Sequence, residues 1–192
     1  MASDGLVKVT AKSATEVCKH FQLGDEAKKL LRDGVTPAQF LDTLIEKQQF
    51  PDAVRFLAHA LPKREAVWWA CVCSRAVAGS SSPPPITAAL QTAEKWVADP
   101  NEENRRAAMP AAEAAQFKTP AGCTAVAAFW SGGSLGPPNV PVIPPGEHLT
   151  AHGVASAVML AAVQSEPEKA PEKYRKFLAL GIDVAKGTLR WK

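Results

Sequence analysis

Proline placement constrains this chain more than any other feature: 16 of its 192 residues are proline, and many stand where a helix would begin. A proline ring fixes φ near the helical value and carries no N–H, a loss that the first helical turn tolerates and a helix interior does not. Thr36-Pro37-Ala38-Gln39 and Asp99-Pro100-Asn101-Glu102 put a capping side chain before the proline and Gln or Glu at the third helical position. Thr119-Pro120 offers the cap without the return partner. Pro51, Pro62, Pro84 or Pro85, and Pro171 open further segments.

Between these stops the apolar periodicity predicts helices over 13–21, 26–32, 37–48, 51–60, 62–78, 85–98, 100–117, 120–130, 150–163 and 171–186. Pro110 falls inside the seventh and predicts a kink or a split. Only 6–10 and 188–191 alternate as strands do, and the two could pair as edge strands. The expected fold class is therefore all-α with short strand-like termini. Short connections turn consecutive helices into antiparallel hairpins, beginning at Pro37 and Pro51, Pro62 and Pro85, Pro100 and Pro120, and Thr150 and Pro171. That spacing is like the period of helical-repeat proteins, yet no residue-level repeat accompanies it. An irregular array of antiparallel helical hairpins, helical-repeat-like or a compact bundle, follows as a single domain over 1–192.

The stretch LPKREAVWWACVCSRAV locates the centre of that fold. At about 100° per residue, Trp68, Val72 and Ala76 line one side of a helix while Trp69, Cys73 and Val77 line the next, leaving Arg64, Ser74 and Arg75 as a narrow polar stripe. Arg64 is placed to lay its guanidinium on Trp68, four residues on. Cys71 and Cys73 point about 200° apart on such a helix and cannot share a metal ion. With Cys18 and Cys123 they show neither a disulfide framework nor a paired CxxC pattern, so all four read as small core hydrophobes. Trp96 and Trp130 end alanine-rich helices, as single bulky plugs between closely packed partners.

Charge excludes more than it suggests. The formal net charge is +3, with no basic block. Arg105, Arg106, Lys173, Arg175, Lys176, Lys186 and Arg190 are interleaved with acids, as in NEENRR and EKAPEKYRK, which fits solvated helix faces better than a phosphate track; no nucleic-acid partner is expected. The opening MASDGLVKVTAKS lacks the basic start and long apolar run of a secretory signal, so a cytoplasmic location is expected. GCTAVAAFW and GVASAVMLAAV are too short to cross a bilayer, so membrane insertion is not.

Few residues suggest chemistry. His148 and His152 stand four apart on one helix face beside Glu147, as in a zinc site. A cap at Thr150 would leave His148 in the loop and no third ligand is evident, so a surface or capping role is the stronger reading. His20 and His59 lie on separate segments without an evident partner. FWSGGSLG has neither a nucleophile elbow nor the Gly-Lys-Ser/Thr of a phosphate loop. No catalytic residue, metal or cofactor is assigned.

The Pro/Gly-rich connection 131–146, SGGSLGPPNVPVIPPG, is long for a compact domain, and such loops are usually functional or disordered. Pro138, Pro141 and Pro144 recur every three residues, which on a polyproline II helix aligns them along one edge, with Val140, Val142 and Ile143 between them. An aromatic groove on a partner could read such a strip. Packing against the protein's own helices as a buried crossover is favoured, because exposed Val and Ile need a reason. Trp191 in the tail suggests docking, within the chain or on a partner.

The run LAHALPKREAVWWACVCSRAV, followed by AEKWVADPNEENRRAAMPAAEAA, resembles a family of uncharacterised bacterial all-helical proteins with an LP-x-R-x-A-V-W-W signature. The resemblance covers most of the chain after about Phe50. It implies no catalytic residue or cofactor, and it points towards proteins that accompany secretion or other multi-protein machines. The functional expectation is a non-catalytic interaction (adaptor or accessory) domain that binds another protein through Pro138, Val140, Pro141, Ile143, Pro144 and Trp191. The alternatives are a metal-dependent hydrolase using His148 and His152 with Glu147, and a self-assembling structural subunit whose strand-like termini pair across chains.

Overall fold

Thr36 closes the capping box that its sequence announces: its Oγ1 accepts the Gln39 N–H at 3.2 Å, and Gln39 Oε1 accepts the Thr36 N–H at 3.1 Å. A computed structural model describes residues 5–79 and 81–191; residues 1–4, Ser80 and Lys192 lie outside the described residues. The helices are α1 (Ala14–Cys18), α2 (Asp25–Leu30), α3 (Pro37–Glu46), α4 (Phe50–Ala60), α5 (Lys63–Val77), α6 (Pro84–Ala98), α7 (Glu102–Ala115), α8 (Pro120–Phe129), α9 (Leu149–Val163) and α10 (Ala170–Ala185), the last preceded by a 3-10 turn, Pro167–Lys169. They form a compact all-α bundle.

Two expected helix starts are corrected. Asp99 is not the cap of α7: Asn101 is, its Oδ1 accepting the Asn104 N–H at 2.8 Å, while the Asp99 carbonyl takes Asn104 Nδ2 at 2.8 Å. Thr150 is not the cap of α9 either, for it lies buried inside the first turn and His148 occupies the cap position. Pro110 does not split α7, which runs through it as one helix. The strand-like termini are absent too, since no strand forms among the described residues. Their backbone groups are satisfied locally, by Val7 N–H to the Gly5 carbonyl and by Thr188 and Leu189 N–H to the Asp183 carbonyl, so no ladder is left to build. The termini nevertheless meet, through the Lys8 N–H on the Ala185 carbonyl at 2.9 Å.

Helix α5 is the centre, packed against α6, α8, α9 and α10. Trp69, Cys71 and Cys73 are fully buried, and burial pushes the thiol pKa of both cysteines well up, so they remain neutral hydrophobes. Trp69 still needs one polar partner, and its Nε1 donates to the Phe177 carbonyl of α10 at 2.8 Å. Gly181, one turn along α10, makes room for the indole: a Cβ there would lie 2.7 Å from Trp69 Cε2 and 2.6 Å from Leu57 Cδ2. Arg64 does not lie on Trp68. Its guanidinium sits 4.2 Å from the ring centroid of Trp191 and donates to the carbonyls of Val97 and Ala98 at 2.6 and 2.9 Å, because the end of α6 presents unpaired carbonyls within reach.

Gly181→Ala is expected to destabilise the fold by about 1–3 kcal/mol through overpacking against Trp69. Gly132→Ala, at a site with nothing within 4 Å of the new methyl, is expected to stay within about 0.5 kcal/mol. Urea unfolding of the two variants checks the contrast.

Candidate functional site

The 131–146 loop leaves α8 at a point where one arginine gathers the chain. Arg105, 3% exposed, donates from Nη1 to the Phe129 carbonyl at 2.5 Å and from Nη2 to the Ser134 carbonyl at 3.0 Å, with its guanidinium 4.6 Å from the Phe129 ring centroid. Glu102, one turn back on α7, balances the charge through a bidentate pair, Nε to Oε2 at 2.6 Å and Nη2 to Oε1 at 2.7 Å. Hydrogen bonding from Arg105 holds the Glu102 carboxyl below its usual pKa. Gly133 completes the fit: at φ +62° it takes a left-handed conformation, and a Cβ there would lie 2.7 Å from Arg105 Nε. Arg106 donates to the Gly136 carbonyl at 3.0 Å and pairs with Glu102 at 2.7 Å. Both arginines, read from sequence as solvated charges, serve as braces for the loop.

Beyond Gly133 the loop folds back on itself. Ser134 Oγ accepts the N–H groups of Gly136 and Ile143 at 3.2 and 3.1 Å, and the Leu135 N–H donates to the Ile143 carbonyl at 2.8 Å. The Val140 N–H reaches the Pro137 carbonyl at 3.4 Å, placing Pro138 in the second position of a turn, and this turn breaks the polyproline line between Pro138 and Pro141. The favoured expectation of a buried crossover is overturned as well. Pro138, Pro141 and Pro144 are exposed, Val140 is 42% exposed, Ile143 54% and Val142 74%. The reason is that Ser134, Arg105, Arg106 and the loop's own backbone satisfy its polar groups, so the apolar side chains are left facing outward. Trp191, by contrast, is half-buried against the core under Arg64.

A second feature joins residues that sequence reasoning left apart. His20, His59, His148 and His152, all the histidines of the chain, converge. The His20 and His148 ring centroids are 4.3 Å apart, those of His59 and His148 5.9 Å, and those of His59 and His152 5.1 Å. Buried Asp52 on α4 brings His20 here, because its Oδ1 accepts the Gly24 N–H at 3.0 Å and draws the 19–24 connection onto α4; Phe21 then stacks on His59 at 4.8 Å. His59 Nδ1 lies 2.8 Å from the Arg55 carbonyl, which can only accept, so Nδ1 carries the proton and Nε2 keeps its lone pair. That Nε2 is buried without a hydrogen-bond partner, as is Thr150 Oγ1. Both residues line a cavity of about 210 Å³ together with His20, Lys63, Glu147 and His148. Burial pushes the His59 pKa down to about 4 and that of His148 below its usual value, so both rings are neutral at pH 7.

His148, His152 and Glu147 are not turned to one common point. Glu147 is 82% exposed with Oε2 3.9 Å from His148 Nε2, and among the described residues no three His, Cys, Asp or Glu side chains are arranged to hold a metal ion as they stand. Sequence spacing gave the i, i+4 pair and missed His20 and His59, whose approach depends on tertiary contacts between separate segments.

A family described as "Family of unknown function (DUF6931)" matches residues 40–185. The chain belongs to DUF6931. Neither the search of curated proteins nor that of solved structures found a match. The DUF6931 segment takes in Arg105, the whole 131–146 loop, His59, His148 and His152, and leaves His20 and Trp191 outside it.

Arg105→Met is expected to cost on the order of 3 kcal/mol, since two carbonyls lose a charged donor. Glu102→Gln, which takes the counter-charge and one accepting oxygen from the buried guanidinium, should cost less than Arg105→Met because the carboxylate itself is half-exposed. Chemical denaturation gives the energies. Faster hydrogen exchange at the Ile143 amide in Arg105→Met would show that the loop has come loose.

Proposed function

We propose that this DUF6931 chain is a non-catalytic interaction module, an adaptor or accessory subunit that presents the 131–146 loop to an apolar groove on another protein. The observation that carries the reading is the combination of exposed Val140, Val142 and Ile143 with a backbone pinned by Arg105, Arg106 and Ser134. An ordered loop loses little conformational freedom on docking, so its apolar contacts convert into affinity more fully than those of a floppy segment. Pro138, Val140, Pro141, Ile143 and Pro144 make the contact surface, with Val142 at its most exposed point. Trp191 belongs to the tail's own docking under Arg64, and the reading gives it a supporting role.

Four free cysteines fit a reducing, cytoplasmic setting. Among the described residues no helix is long and apolar enough to cross a membrane. The resemblance to bacterial proteins that accompany secretion or other multi-protein machines supports looking for the partner in such an assembly. Self-assembly is the competing use of the same loop, with a second copy of this chain as the partner.

A photo-crosslinking amino acid at Val142, in the full-length chain expressed in its host, is expected to trap one discrete protein. Val140→Asp with Ile143→Asp should abolish the adduct without shifting the melting temperature. Trapping of the chain by itself, matched by a dimer or larger particle in sedimentation, would replace the adaptor reading with self-assembly. A melting temperature that collapses in the double variant would make the loop part of the core.

A further inference from the structure

We propose that the four-histidine cluster is a binding site for a borderline divalent transition-metal ion of the zinc class, with His59 as the fixed ligand, His148 and His152 closing on it, and His20 completing the shell. Imidazole nitrogen suits zinc, copper and nickel, whereas magnesium and calcium prefer oxygen.

His59 carries the argument. A metal-bound histidine commonly donates its second ring N–H to a carbonyl, which sets the tautomer and aims the other nitrogen's lone pair at the ion. His59 has that arrangement already, with Nδ1 on the Arg55 carbonyl at 2.8 Å, the ring clamped by Phe21, and Nε2 buried without a partner. A buried acceptor left unpaired is costly, and an ion at Nε2 would remove the cost.

The spacing fits as well. Two imidazoles on one tetrahedral ion, at about 2.0–2.1 Å from each nitrogen, hold their ring centroids about 5 Å apart. Three of the six pairs in such a shell are already near that value, at 5.1 Å for His59 and His152, 5.9 Å for His59 and His148, and 4.3 Å for His20 and His148, which links the rings in a row from His20 through His148 and His59 to His152. The rings are close enough but not turned to a common point, so binding requires rotation of His20, His148 and His152. Their setting allows it: His20 and His152 are exposed and His148 is partly exposed at the mouth of the cavity. Lys63 lines the same cavity but directs its ammonium to the Ser131 carbonyl at 2.9 Å. Cys18 is a neighbour in sequence, and burial pushes its pKa up to about 12, leaving it a neutral thiol.

Chelator-stripped full-length protein is titrated with zinc chloride by calorimetry, and with Co²⁺ by visible absorption. One ion per chain is expected, together with the absorption bands of tetrahedral, nitrogen-ligated Co²⁺. His148→Asn with His152→Asn changes one partly exposed and one exposed ring outside the core, so circular dichroism should stay native while zinc affinity falls by well over about tenfold. His20→Ala should weaken binding less. His59→Phe keeps a ring stacked on Phe21 and should abolish binding; if that variant misfolds, the Asn pair decides. Cys18→Ser should leave the titration unchanged. Absence of zinc binding by the wild-type chain, binding that survives the Asn pair, or binding that Cys18→Ser removes would each overturn the proposal.

Discussion

The hydrogen bond from Trp69 to the Phe177 carbonyl, seated over Gly181, fixes where α5 lies in the bundle, and the periphery is hung from the first turn of that helix. Lys63 holds the start of the long loop through the Ser131 carbonyl. Arg64 holds the end of α6 through two carbonyls and the C-terminal tail through Trp191. Glu65 holds the N-terminal segment through Lys8 at 3.2 Å. Three consecutive charged residues thus secure four remote pieces of chain, and each contact is weak alone because it lies near the surface. Their common reference is the buried indole four to six residues on, which keeps the three anchor points in fixed register.

The two candidate sites share the same stretch of chain. The 131–146 loop is braced by Arg105 where it leaves α8 and reaches the histidine cluster where it enters α9, since His148 caps that helix. The bracing at its start is charge-assisted and largely buried. At its end the contacts are ring against ring, with cavity and solvent beside them. Stiffness is therefore unequal along the loop, and His148 sits at the end where an added ligand has most to contribute.

Much of the fold could be read from local chemistry. The caps at Thr36 and Thr119, the central place of α5, and the burial of Cys71 and Cys73 follow from residues within one or two turns of each other, where the periodicity of a helix fixes direction. The misreadings have a common physical origin. Asn101 displaced Asp99 as the cap of α7 because both side chains can accept and only the path of the chain decides between them. Arg64 chose Trp191 over Trp68, since a long side chain reaches several partners and unpaired helix-end carbonyls attract a donor more strongly than an indole four residues away. The termini alternated like strands but lacked a paired edge to join.

Arg105 shows why the loop in particular was misjudged. From sequence, an arginine within NEENRR is one more charge on a solvated face, and Val140 and Ile143 are apolar side chains that ought to be covered. In the fold the positions are exchanged, with the charge inside and the hydrophobes outside. A buried guanidinium is tolerable only if its donors find partners, and the Glu102 carboxylate with the Phe129 and Ser134 carbonyls takes four of the five. Once those carbonyls and the Ser134 hydroxyl have fixed the backbone, the loop needs no apolar burial to stay ordered. Its valines and isoleucine are then free to face outward, an outcome that hydropathy cannot register because the stabilising group lies 29 residues away in the chain, between Arg105 and Ser134.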